Sequence, residues 1–234
     1  MTKRRTTKRG QGRQKTYQEL HLDLADIRPM TESQERVFKS TKNQVLHGCA
    51  GTGKTFITSY LAYKAIASGE FSKLVYIRSA VSTRNIGFLP GTEAEKAAVY
   101  ETPYKEITNE LFDRGGTYDD LKKKGVVDFM TTSHVRGTTM NDTVVIVDEC
   151  QNMSFHELDS IITRFGRDCR YYFCGDYRQA DLKESETGIR KFFKILETLD
   201  QDFDSTEFTV DDIVRSELVK RYLIAKEKHE SSTK

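Results

Sequence analysis

Residues His47–Thr55 read HGCAGTGKT, which sets Gly48, Gly53, Lys54 and Thr55 in the spacing G-x-x-x-x-G-K-T. That spacing builds a loop for phosphate. Glycines let backbone N–H groups turn inward around anionic oxygens, and the loop opens a helix whose positive end favours the same charge. The candidate nucleotide-binding stretch is therefore Gly48, Cys49, Ala50, Gly51, Thr52, Gly53, Lys54, Thr55 and Phe56. Lys54 can reach the β- and γ-phosphates, and the Thr55 hydroxyl can bind Mg²⁺. A glycine-rich turn without chemistry is the bland alternative. The apolar run before the loop and the apolar-periodic stretch after it decide against that.

A phosphate loop alone does not imply hydrolysis, so the next stretch matters more. In VVIVDECQN (Val144–Asn152) four apolar residues drive a strand into the core and deliver Asp148 and Glu149 at its carboxyl end. Ligands of open parallel sheets sit at those ends. Asp148 is placed to hold Mg²⁺ through water, and Glu149 to polarise the attacking water as general base. In isolation the two acids could instead be a solvated turn. A third stretch, YYFCGDYRQADL (Tyr171–Leu182), repeats the design and ends in G-D-x-x-Q, with Asp176 and Gln179. The Gln179 amide is both donor and acceptor, so it can touch the γ-phosphate and the water together. No N-K-x-D guanine-reading motif follows the Asp-Glu strand, which argues against a Ras-type GTPase. The adjacent acids argue against a small-molecule kinase. Hydrolysis of ATP coupled to a mechanical or switching task is the reading that remains.

These residues need a scaffold, and the apolar pattern supplies one. Short buried strands are expected at Gln44–His47, Lys73–Ser79, Val126–Thr132, Thr143–Glu149, Arg170–Asp176 and Glu207–Val210. Helical patterns lie at Glu32–Ser40, Lys54–Ser68, Thr92–Phe112, Ser154–Phe165, Glu186–Leu199 and Ser216–Lys228. Strands alternating with helices predict an α/β fold, a mostly parallel sheet covered on both faces. Ser79–Lys124 exceeds an ordinary crossover and reads as an insertion with one or two small helices, lying over one end of the sheet.

Length and composition set outer limits. The 234 residues suit one α/β domain, here residues 18–234, and 37% hydrophobic with 31% charged residues reads as soluble and globular. The four cysteines form no C-x-x-C pair and the five histidines are scattered, so a zinc site or disulfide framework is not expected and a reducing cytoplasm is. No apolar run is long enough to span a bilayer. The basic N-terminus lacks the apolar core of a secretory signal. The net charge of +2 conceals a basic start: the first 15 residues hold seven Lys or Arg and no acid. With nothing apolar between Met1 and Tyr17, residues 1–17 are expected to be disordered. They read either as a solubilising tail or as an arm for nucleic-acid phosphate.

The segments GCAGTGKTF, IRSAVSTRNIGFLPGTEAEK, VRGTTMNDTVVIVDECQN, TRFG and CGDYRQADL together resemble the PhoH-like (phosphate-starvation-inducible) ATPases. Those ATPases are similar to the first RecA-like motor domain of superfamily 1 helicases. The resemblance runs from about Met30 to Tyr222, and the chain resembles the compact forms found in bacteriophages, which would place the protein in a host cytoplasm. It implies a P-loop, RecA-like fold with ATP and Mg²⁺ as cofactors. Gln34, in MTESQERVF, matches the glutamine that reads adenine; a solvent-facing helical glutamine is the alternative. Arg78 matches the arginine of an R-P-A element, although Ser79 stands where the proline would be. Arg136 matches an R-G element, as a nucleic-acid contact or an interface residue. Arg215, in DDIVRSELVKRYL, matches an arginine that can act as a finger on the transferred phosphoryl group. A surface arginine starting the last helix is the alternative.

A lone motor-like domain would need that arginine from a neighbour, through a head-to-tail interface that closes as a ring. The resemblance thus implies a homo-oligomer, most simply a hexamer, acting on single-stranded RNA or DNA with no membrane partner. The competing class is a regulatory assembly that spends ATP on a protein partner. No stacking platform for bases is legible; the thirteen Phe and eleven Tyr fall mostly within expected strands and helices.

Overall fold

A computed structural model describes residues 23–79, 93–135, 137–176 and 188–232. Six strands form one sheet: β1 (Asn43–Gly48), β2 (Lys73–Arg78), β3 (Val127–Thr131), β4 (Thr143–Asp148), β5 (Cys169–Gly175) and β6 (Phe203–Phe208). Their order is β3-β2-β4-β5-β1-β6, and every pairing is parallel. Seven helices complete the described fold: α1 (Glu32–Lys39), α2 (Lys54–Ala67), α3 (Glu93–Leu111), α4 (Thr117–Lys123), α5 (Phe155–Ile162), α6 (Ile189–Glu197) and α7 (Glu217–Ser232). The expected α/β class with a parallel sheet is what the chain adopts.

Strand periodicity divides the core. Leu46, Leu74, Tyr76, Val144, Ile146, Tyr172 and Cys174 point to one face, where α1 to α4 cover them. Val45, Val75, Ile77, Val145, Val147, Tyr171 and Phe173 point to the other, against α5 and α6. A strand buried on both faces needs an unbroken apolar run, and β4 is buried at all six positions. Each such apolar side chain is worth about 1.5–3 kcal/mol when fully buried.

The chain leaves β1 for β2, three positions away, then returns to lay β4 and β5 between them. Register partners across the site are Arg78–Asp148, Val147–Phe173, His47–Gly175 and Gly48–Phe208. The carboxyl ends of β2, β4, β5 and β1 therefore stand side by side. All three chemical stretches of the sequence leave the sheet there.

Two expectations are corrected. The last strand is not Glu207–Val210 but Phe203–Phe208, four residues earlier. It is an edge strand buried only at Phe203, Thr206 and Phe208, so its polar residues hide it from a search for apolar runs. Residues Val210–Asp212 instead form a 3-10 turn capped by Thr209, whose N–H donates to Asp212 Oδ2 at 2.9 Å. The described part of the insertion, α3 and α4, also does not cap a sheet end. It packs along the face that holds α2, with Tyr104 stacked on Tyr76 and Tyr63 edge-on to Phe112.

Helix ends follow their caps. Thr31 accepts the N–H of Gln34 at the start of α1. Ser154 and Glu157 form a capping box that starts α5, one residue later than the apolar pattern suggests. The Glu157 carboxylate also accepts from Thr132 Oγ1 at 2.6 Å and Ser79 Oγ at 3.3 Å, tying α5 to the ends of β2 and β3. Among the described residues no helix is long and apolar enough to cross a membrane.

Candidate nucleotide site

The phosphate loop turns because its glycines take backbone conformations other residues avoid. Gly48, Gly51 and Gly53 have φ of +104°, +74° and +78°. At Gly48 the constraint is also steric: a Cβ would lie 2.1 Å from the Phe208 carbonyl oxygen. That same oxygen accepts the Cys49 N–H at 2.8 Å, so β6 braces the loop. Thr52 is buried and donates to the Cys49 carbonyl at 3.0 Å. Ala50 is half-buried at the bend, and Phe56 packs from α2 into the core.

Lys54 reaches back across this loop. Its Nζ donates to the carbonyls of Gly48 at 2.9 Å and Cys49 at 2.7 Å. Burial lowers the pKa of the amine, while the charge of Asp176, first among its neighbours, works against that. A cation held by neutral carbonyls keeps its charge for an arriving anion, and phosphate oxygens are its natural exchange partners.

Thr55 and Asp148 meet although β5 lies between β1, which leads into the loop, and β4. The Thr55 hydroxyl donates to Asp148 Oδ1 at 3.0 Å. One hydroxyl and one carboxylate is a hard-oxygen donor set. It fits Mg²⁺, which keeps waters and takes its remaining ligands from phosphate. Among the described residues no group of three or more His, Cys, Asp or Glu could hold a metal by itself. Asp148 is buried, and its second oxygen accepts from Tyr104 at 3.0 Å.

Glu149 follows at once, in a left-handed conformation with φ 55° and ψ 41°. A non-glycine residue there stores about 1–2 kcal/mol, and such strain gathers at functional sites. Burial raises the Glu149 pKa, and the charge of Asp148 raises it further; Arg78 and a hydrogen bond from Gln151 pull it back. Arg78 itself sits over the Tyr100 ring at 5.4 Å. Buried Gln151 donates to Glu149 and accepts the Asp176 N–H at 3.0 Å. Gly175 leaves room for this bridge, since a Cβ would lie 3.1 Å from Gln151 Oε1.

Gln34 is not a solvent-facing helical glutamine. It is buried, its Nε2 donates to the Thr52 carbonyl at 3.0 Å, and its Oε1 accepts the Met30 N–H at 2.8 Å. Arg215 borders the loop of its own chain: the Val214 N–H donates to Gly51 O at 3.1 Å, and Arg215 Cγ lies 3.1 Å from where a Gly51 Cβ would stand. Gln179, Arg136 and the basic residues 1–17 lie outside the described residues.

The structure thus gathers Gln34, the 48–56 loop, Asp148, Glu149 and Arg215 at one rim. Two participants carry no motif-level signal of their own. Gln151 could have been suspected from its place two residues after Glu149. Nothing in the sequence around Tyr104 marks it.

The model of the PhoH-like protein family matches residues 26–227. A PhoH-like protein of Mycobacterium tuberculosis is 31% identical over 94% of this chain and 65% of its own length. Protein PhoH of Escherichia coli is 30% identical over 87% of this chain and 59% of its own. The chain thus spans about two thirds or less of the length of these relatives. Among solved structures, the large terminase of a thermophilic bacteriophage aligns at a TM-score of 0.51, with 15% identity over 83% of this chain and 50% of the terminase. A second crystal form of that terminase, in complex with ADP, aligns at 0.50 with 14% identity, covering 83% of this chain and 49% of that one. At such identity the likeness shows the fold.

Proposed function

The chain belongs to the PhoH-like family, and from that premise we propose that it hydrolyses ATP with Mg²⁺ as an oligomer acting on single-stranded nucleic acid. The observation that carries the hydrolytic part is the row of groups on one rim: Lys54 across the loop, Thr55 bonded to Asp148, and Glu149 next to them in a left-handed turn. The inward N–H groups of the loop and the Lys54 amine bind the β- and γ-phosphates. Thr55 and Asp148 would hold the ion, which supplies neutralisation of phosphate charge. Glu149 orients a water and accepts its proton as the water oxygen bonds to the γ-phosphorus; the bond to the bridging oxygen breaks, leaving ADP and phosphate. Gln151 fixes Glu149 and ties it to the Asp176 backbone, so a change at the γ-phosphate is felt at the end of β5. Gln34 anchors α1 to the loop, a position that suits reading adenine.

Assembly is supported by the exposed apolar residues Leu218, Val219 and Tyr222 of α7, which begins beside Arg215 at the loop. We propose a ring, a hexamer in its simplest form, in which Arg215 stabilises transition-state charge at the site it borders or at the adjoining one. The nucleic-acid partner is supported by the basic residues 1–17, and a cytoplasmic setting by a chain whose four cysteines are free.

The test compares phosphate release by wild type with and without poly(U) or single-stranded DNA, with Lys54→Ala as the inactive control. Stimulation of several fold, lost in high salt or without residues 1–17, is the expected result. Hydrolysis that ignores nucleic acid would move the coupling to a protein partner. No hydrolysis under any condition would overturn the enzyme reading.

A further inference from the structure

Beneath the Thr55–Asp148 pair lie two tyrosines with no part in the reaction described above. Tyr76 of β2 and Tyr104 of α3 are both fully buried and stacked, ring centroids 4.3 Å apart and planes 19° from parallel. Tyr104 donates its hydroxyl to Asp148 Oδ2 at 3.0 Å. Tyr76 donates to Ser59 Oγ at 2.9 Å, and Ser59 donates to the Thr55 carbonyl at 2.6 Å. One ring thus leads to the side chain of the aspartate, the other to the backbone of the threonine. Phe129 of β3 abuts Tyr104 with centroids 5.8 Å apart, which confines the phenol from a second side.

A carboxylate that presents one oxygen to a metal needs its other oxygen held, and such supports typically change metal affinity by about 10–100-fold when lost. On this geometry, and resting on the Mg²⁺–nucleotide reading above, we propose that Tyr104 is a positioning residue for Asp148, and that its stack on Tyr76 joins the two metal-holding residues into one unit with helix α3. Helix α3 emerges from the inserted stretch. Its Tyr100, one helical turn before Tyr104 and on the same side, packs on Arg78. A displacement of α3 would therefore be felt at Asp148 and Arg78 together.

A purely structural role would be satisfied by any partner for a buried hydroxyl. Tyr63 supplies the comparison, being equally buried in the same core beside Tyr76, with its hydroxyl 2.8 Å from Thr108 Oγ1 and bonded to neither Asp148 nor Thr55. The experiment measures Mn²⁺ binding by electron paramagnetic resonance, with the imido analogue of ATP, in wild type, Tyr104→Phe and Tyr63→Phe. The proposal expects Mn²⁺ affinity about ten-fold weaker in Tyr104→Phe, with metal-free analogue binding unchanged and Tyr63→Phe close to wild type. Wild-type Mn²⁺ affinity in Tyr104→Phe would overturn it, as would an equal loss in Tyr63→Phe. Failure of wild type itself to bind Mn²⁺ with the analogue would overturn the Mg²⁺–nucleotide reading, and the proposal with it.

Discussion

Burial and the charge of Asp148 hold the Glu149 carboxyl above the ordinary glutamate range, although a general base must be ionised to work. The acid limb of kcat/KM, which reports the free protein, is therefore expected above the usual glutamate pKa. Gln151 donates to the charged form, so Gln151→Ala should move that limb to still higher pH. A limb that stays fixed, in a pH–rate profile of the two proteins, would remove Glu149 from the base role. The same charge has a cost in stability. With the folded pKa raised, the stabilising contribution is complete below the unfolded pKa and lost as pH rises through the folded one. Glu149→Gln is thus expected to abolish turnover, retain ATP and melt higher than wild type at neutral pH, with the difference shrinking on acidification. Thermal melts across pH check this directly.

Elements hold these residues through a few contacts that single atoms can break. Gly48→Ala would drive a methyl into the Phe208 carbonyl in a backbone region alanine avoids. The expected cost is at least about 2 kcal/mol, with loss of nucleotide binding; denaturant unfolding and nucleotide titration measure the two. Glu157 works in the opposite electrostatic sense to Glu149. Burial would raise its pKa, but hydrogen bonds from Thr132, Ser154 and Ser79 bring it below the ordinary value. Its contribution is present above the unfolded pKa and lost as pH falls through the folded one. Glu157→Gln should cost about 1–2 kcal/mol at neutral pH and little at low pH.

The elements also show what a sequence can and cannot disclose. β2, β4 and β5 are legible because strands buried on both faces must be largely apolar, and β1 because the phosphate loop marks its end. β6 is not, because an edge strand with Asp204, Ser205 and Glu207 looks like a loop. The phosphate loop and the Asp148–Glu149 pair are legible because their chemistry fixes both residue type and spacing. Tyr104 is illegible: its role depends on α3 folding back over β2, a contact between residues 44 positions apart in the chain. The burial of Gln34 and the contact of Arg215 with Gly51 are likewise products of the fold and not of any local pattern.

For the whole molecule, the sheet brings the described members of the proposed site to one edge, and α7 carries its exposed apolar residues from that edge into solvent. Leu218 and Tyr222 are 71% and 65% exposed, so replacing both with Glu should leave the folded chain's stability within about 0.5 kcal/mol of wild type. In the proposed ring the same change should lower the assembled fraction seen by sedimentation with ATP and Mg²⁺, and with it the ATPase rate. An unchanged distribution would place the interface elsewhere. The central claim, that this rim is an ATP-hydrolysing site, is tested most directly by phosphate release beside nucleotide binding in wild type and Glu149→Gln. The account predicts ATP bound by both and phosphate released, with Mg²⁺, by wild type alone; ATP bound by neither, or equal turnover by both, would contradict it.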